Sequence, residues 1–161
     1  MGEGPVWDKE KGEIRILGRR DTAVNAQALC DYLDSLVGVQ VAEVIMQNLE
    51  FRLGKEDGAS IKAERPKATI SELIQLLAEW DRMTGMGVTK VTLPEEQDAP
   101  ILVAVSNPSV KGDAGSSKAF LFSWWAGALT SLFGVELETR NVAYDKESNF
   151  MKCEIVPRLR E

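Results

Sequence analysis

Histidine is absent from this sequence of 161 residues, and cysteine occurs only twice. The first absence excludes Ser-His-Asp and Cys-His nucleophile chemistry, H-E-x-x-H zinc sites and any histidine pH switch. The two cysteines, Cys30 and Cys153, cannot build a four-thiolate zinc site, and no C-x-x-C spacing occurs. Basic runs are missing as well: nothing exceeds Arg19-Arg20, and the net charge is −6. A phosphate-neutralising surface for nucleic acid is therefore not expected. No apolar run reaches the roughly 20 residues of a membrane-spanning helix. Met1 to Val6 shows no basic-then-apolar leader, and Val6 stands where the myristoylation pattern requires Ser or Thr. A chain this poor in thiols suits a reducing compartment, so a cytoplasmic protein is expected.

What is present is ordinary globular composition, 44% hydrophobic and 27% charged, at the length of a single domain spanning 1–161. Residues 1–12 read as a loose lead-in, 13–87 as a mostly helical part, and 88–157 as a sheet with one buried helix. Ile14 and Ile16 alternate with charged neighbours as a short strand does. Asp21 to Asn25 supply capping residues for a helix whose stripe is Ala26, Leu29, Cys30, Leu33, Leu36 and Val37, with Gly38 at its end. A second helix is expected to turn Val41, Val44, Ile45, Leu49 and Leu53 inward and to close near Gly54. The polar stretch 55–67 then reads as a connection, partly helical.

Thr69 and Glu72 fit a capping box for a helix that places Ile70, Leu73, Ile74, Leu77 and Trp80 inward and stops at Gly85 or Gly87. The period then changes to two. Val88–Leu93 and Ile101–Ser106 read as strands joined by the acidic turn Pro94–Pro100. A Gly/Ser loop, Asn107–Ser117, leads to a helix from about Lys118 to Phe133. Val135–Asp145 and Phe150–Pro157 close the chain as a hairpin with Met151, Cys153 and Ile155 on its inner face. Helices followed by β-β-α-β-β predict an α+β domain, a mainly antiparallel four-stranded sheet with N-terminal helices packed on one face.

The most unusual segment runs from Ala119 to Val135 and carries no charged side chain. A helix apolar on every side is usually buried. Ala119, Ser123, Gly127 and Thr130 make a small-residue stripe that admits a close backbone. Phe120, Leu121, Trp124, Trp125, Leu129 and Leu132 form the bulky remainder. These side chains fit core packing, an aromatic-walled ligand pocket or a dimer interface. Adjacent tryptophans on a helix point apart, so one of Trp124 and Trp125 lines something other than the central core.

No catalytic constellation emerges. The loop Lys111–Lys118 lacks the P-loop spacing; its amides offer a place for an anion, and a plain surface loop is the simpler reading. Gly85-Met86-Gly87-Val88 reads as a helix stop feeding a strand, not as a nucleotide fingerprint. Glu136 and Glu138 share a face with Arg140 as an ion-pair surface. Cys30 and Cys153 fall on inward faces, where thiols are inert.

Trp125-Ala126-Gly127-Ala128-Leu129-Thr130-Ser131-Leu132-Phe133-Gly134, followed by a strand, a short turn and Lys152-Cys153-Glu154-Ile155-Val156, resembles the 4-vinyl reductase domain family. The helix Glu72–Gly87, ending in Gly-x-Gly before a strand, is similar to that family's central part. The resemblance implies the NO-signalling/Golgi-transport ligand-binding fold, shared with sensor domains of aromatic-responsive regulators and with TRAPP vesicle-tethering subunits. It further implies a homodimer formed through helices and an apolar cavity for a hydrocarbon, an aromatic or an acyl chain. Leu77, Trp80, Phe120, Trp124, Trp125 and Leu129 are the ligand-lining residues expected on this basis. The sensor members hold a structural zinc near the final hairpin; only Cys153 matches their ligands here, so neither metal nor cofactor is expected. The resulting expectation is a non-catalytic module for a hydrophobic small molecule, with a TRAPP-like dimeric scaffold whose cavity is filled by its own side chains as the alternative.

Overall fold

The computed structural model describes residues 25–96, 99–112 and 114–158 with their side chains, and the backbone of three short strands before them. Those strands, β1 (Val6–Asp8), β2 (Glu13–Ile16) and β3 (Arg19–Asp21), form an antiparallel sheet in the order β1-β2-β3. β2 is the strand expected around Ile14 and Ile16. β1 lies inside the stretch expected to be a loose lead-in; its order comes from pairing Trp7 with Ile14, a non-local contact that local composition does not announce.

Helix α1 (Ala26–Val37) starts where Asn25 accepts the Ala28 amide at 3.0 Å and ends at Gly38, whose φ of 84° favours glycine. Helix α2 (Val39–Glu64) follows at once and contradicts two expectations. It does not close near Gly54 but continues to Glu64. Its large apolar residues also face outward: Val41, Val44, Ile45, Leu49 and Leu53 are between 42% and 56% exposed. The buried side is instead Ala42, Met46, Gly54, Gly58 and Ile61. The physical reason lies in the helix it meets, α4 (Gly115–Phe133). A Cβ on Gly54 would strike the Trp124 backbone, one on Gly58 the Ala128 backbone, and one on Gly127 the Phe51 carbonyl. Two backbones in direct contact need glycine on both helices. Gly127 thus does what the small-residue stripe predicts.

Helix α3 (Ile70–Thr84) carries the capping box, with Glu72 accepting from the Thr69 amide at 2.7 Å, and stops at the left-handed Gly85. Strands β4 (Val88–Thr92), β5 (Ile101–Ser106), β6 (Leu137–Asp145) and β7 (Phe150–Pro157) form an antiparallel sheet in the order β4-β5-β7-β6. Val103 pairs with Cys153 and Val105 with Met151, and all four side chains are buried. The architecture is the expected α+β domain. α4 packs against α1, α2 and the edge strand β6, and α3 against β4, so α4 forms the centre of the core.

Helix α4 begins at Gly115, three residues before the expected start, and Asp34 of α1 explains the difference. Ala114 caps the helix without a side-chain bond, and the Asp34 carboxylate accepts from the Ser116 amide at 3.0 Å and from its hydroxyl at 2.7 Å. The anion position offered by that loop is filled by the protein's own carboxylate. Gln27 fastens the same loop by accepting the Lys111 amide at 2.7 Å.

Candidate functional site

Three tryptophans meet where α3 and α4 cross. Trp124 stands edge-on to Trp80, with centroids 6.0 Å apart and planes at 84°, and edge-on to Trp125 at 5.4 Å and 89°. Such perpendicular contacts are a favoured aromatic geometry. Trp125 is fully buried; Trp124 and Trp80 are half-buried and pack against the core cluster. The expected division between the adjacent indoles is therefore found, with Trp125 inside and Trp124 at the margin. Leu77, Phe120 and Leu129 are buried members of the hydrophobic core against which Trp80 and Trp124 pack.

Both polar edges of the indole pair are satisfied internally. The Trp125 Nε1–H donates to Asp81 Oδ2 at 2.8 Å, and the Thr89 hydroxyl donates to the same oxygen at 2.5 Å. The Trp124 Nε1–H donates to Asp57 Oδ2 at 2.9 Å. Asp81 is 4% exposed, and burial pushes its carboxyl up to about 6 against the pull of its two hydrogen bonds. Glu50, half-buried on α2 and repelled by Asp57, is pushed up to about 7, again chiefly by burial. Neither acid was singled out from sequence. The signal for Asp81 was present: it follows Leu73 and Leu77 at helical spacing and so lies on the inward stripe of α3.

A second feature is a polar recess of about 110 Å³ between α2, α4 and β6. Glu43 and Gln47 approach from α2, Lys118, Ala119 and Ser123 from α4, and residues 139–142 from β6. The strand is irregular there: its pairing with β7 shifts between Arg140 and Ala143, and Asn141 takes a φ of 52°. Bulges of this kind re-aim side chains at sheet edges. None of the six expected ligand-lining residues borders this recess.

The surroundings of Cys153 do not suit the zinc of the sensor domains. Its side chain is 2% exposed beside Val103 and Ile155, and burial followed by the Glu154 charge pushes its thiol well above the usual range. A metal-binding thiolate needs the opposite electrostatics. Among the described residues no three potential ligands converge, and no helix is long and apolar enough to cross a membrane.

Among solved structures the chain is similar to the phenol-responsive sensory domain of the transcription activator PoxR, crystallised with phenol. The TM-score is 0.74 at 13% identity, over 95% of this chain and 84% of that one. A vinyl-4-reductase family protein from Methanocaldococcus jannaschii gives a TM-score of 0.46 at 16% identity, over 86% and 99% of the two chains. A Cs H-NOX mutant gives 0.46 at 9%, over 90% and 79%. No protein-family model matches the sequence, and no curated protein does. At these identities the first likeness is one of fold, and the other two add nothing to it. The fold of an aromatic-responsive sensor domain, which the sequence resemblance implies, is the fold found.

Proposed function

We propose that this protein is a small-molecule-binding module that holds a hydrophobic ligand, such as an acyl chain, a hydrocarbon or an aromatic, and performs no catalysis on it. The observation that carries this reading is the Trp80–Trp124–Trp125 group, in which the N–H groups of Trp124 and Trp125 are taken up by the protein's own carboxylates. What remains for a visitor is aromatic surface on the two half-buried rings, and ligand sites are built mostly from such surface. The fold shared with a phenol-responsive domain supports the same reading. Asp81, strongly perturbed as it is, is committed to Trp125 and Thr89 and so serves as a structural tie.

Size limits the ligand. Burying ~150–200 Å² of an aromatic at ~25 cal/mol per Å² gives about 4–5 kcal/mol before the costs of association. A longer chain, or a polar contact, is needed for micromolar binding. Tryptophan fluorescence titrated with phenol and with decanoate tests this. Saturable quenching that is lost in Trp124→Ala supports the reading, and no saturable response to either probe counts against it.

The protein is further proposed to act as a homodimer in the cytoplasm. The outward stripe of α2 supports the dimer: at about 1.5 Å per residue its 26 residues run for about 39 Å. A stable pair needs about 800 Å² from each partner. The two cysteines, free and buried, suit a reducing compartment. A second reading, a dimeric scaffold with a self-filled interior, is favoured by one observation. Leu77, Trp125 and Leu129 are wholly enclosed by the protein itself.

A further inference from the structure

Glu50 interrupts the packed face of α2. Ala42, Met46, Gly54 and Gly58 lie on that face at multiples of four residues and are all buried, and Glu50 occupies the slot between Met46 and Gly54. It is half-buried there and makes no hydrogen bond or ion pair with a described residue. Burial, then the charge of Asp57, pushes its carboxyl up to about 7. A carboxylate drawn out of water without a partner is costly, and apolar packing alone gives no reason for one in a helix seam. The only enclosed side-chain polar atom without a partner among the described residues is the Ser123 hydroxyl, so the unpartnered oxygens of Glu50 are reachable from outside.

The contacts on either side fix its place against α4. Glu43 pairs with Lys118, Gly54 meets the Trp124 backbone, Gly58 meets Ala128, and Lys62 reaches the Leu132 carbonyl, so the two helices run parallel and in step. Glu50 stands one turn before Gly54 and Phe120 one turn before Trp124, which brings Glu50 level with Phe120. On the other side of Gly54, Asp57 holds the Trp124 indole N–H at 2.9 Å. Glu50 thus lies at the margin of the tryptophan group, where Trp124 and its edge-on neighbour Trp80 are half-buried.

We infer that Glu50 is the polar contact of the tryptophan site and selects a hydrophobic ligand ending in a primary amine, whose ammonium donates to the Glu50 carboxylate while its carbon skeleton rests on Trp124 and Trp80. This inference rests on the binding-module reading and names its ligand class. An ammonium supplies the missing partner as a charge-assisted hydrogen bond, roughly twice as strong as the bond from a neutral alcohol. An indole face nearby adds cation–π attraction. A ligand carboxylate would meet Glu50 as a like charge, with Asp57 close enough to be felt as well.

Calorimetric titration with octylamine, octan-1-ol and octanoate provides the test, since the three share one chain and differ in the head group. At pH 8 and constant ionic strength the amine is protonated and Glu50 is ionised. Octylamine is expected to bind at least tenfold more tightly than octan-1-ol, and octanoate more weakly than either. Glu50→Gln keeps the shape and removes the charge, so the advantage of the amine over the alcohol should shrink to less than threefold. An alcohol that binds as well as the amine, or an amine advantage that persists in Glu50→Gln, overturns the inference and leaves the binding module standing. No saturable binding of any of the three, nor of phenol, removes both.

Discussion

The carboxylate of Asp81 on α3 accepts the indole N–H of Trp125 on α4 at 2.8 Å, in a position that is 4% exposed. With Thr89 on β4 donating to the same oxygen, one buried acid ties two helices and a strand together. Trp125→Phe removes a donor and much of a packed side chain. It is expected to lower unfolding stability by about 2–4 kcal/mol in chemical denaturation. Thr89→Val removes a donor at nearly constant volume and should cost about 1–2 kcal/mol. Equal, negligible losses in both would refute the tie.

The two raised carboxyls give stability a particular pH dependence. Asp81 moves from 3.8 to about 6 and Glu50 from 4.5 to about 7 on folding, so the folded protein binds more protons than the unfolded chain between those limits. Their contribution is fully present below about pH 4 and is lost as pH rises through 6 and 7. Glu50→Gln should therefore flatten the fall in stability between pH 4.5 and 7, by up to about 1.4 kcal/mol per pH unit, in denaturant titrations at fixed ionic strength. An unchanged slope would show that Glu50 is not desolvated.

Glycines of two kinds should separate sharply. Gly54→Ala forces a methyl group into the Trp124 backbone, and backbone cannot swing aside. A loss above about 3 kcal/mol, or failure to fold, is expected. Gly85→Ala meets nothing within 4 Å and carries only the left-handed strain of φ 79°. It should cost about 1–2 kcal/mol by thermal or chemical denaturation. Similar losses in the two variants would contradict the close helix contact.

The outward stripe of α2 makes the dimer testable. Val44 and Leu49 are 56% and 46% exposed, so Val44→Glu with Leu49→Glu should leave the monomer fold intact by circular dichroism. In sedimentation velocity the unaltered protein is expected to run as a dimer and the double variant as a monomer at the same concentration. Identical sedimentation of the two proteins would remove this face as the interface.

Local signals were legible in the sequence and tertiary ones were not. The Thr69–Glu72 box, the stop at Gly85 and the alternation of Met151, Cys153 and Ile155 depend on near neighbours, and each appears where its pattern placed it. The packed face of α2 is not legible locally, because side-chain hydrophobicity points to Val44 and Leu49, whereas the face is chosen by what fits against α4, namely Gly54 and Gly58. The early start of α4 depends on Asp34, 82 residues before Ser116, and no local rule connects them. For the candidate site, the aromatic residues could be named from their uncharged helix. Of the acids, Asp81 carries a sequence signal in its place on the inward stripe of α3, whereas Asp57 and Glu50 carry none, since a carboxylate reads as surface until its partner is known.

Native mass spectrometry of the purified protein, before and after solvent extraction, tests the proposed function most directly. The account predicts a co-purifying hydrophobic molecule of defined mass, released by extraction and absent from Trp124→Ala, whose narrow charge-state distribution should still be that of a folded protein. A protein that is empty as purified, takes up neither an acyl chain nor an aromatic when these are added, and changes only its association state in Trp124→Ala would contradict it.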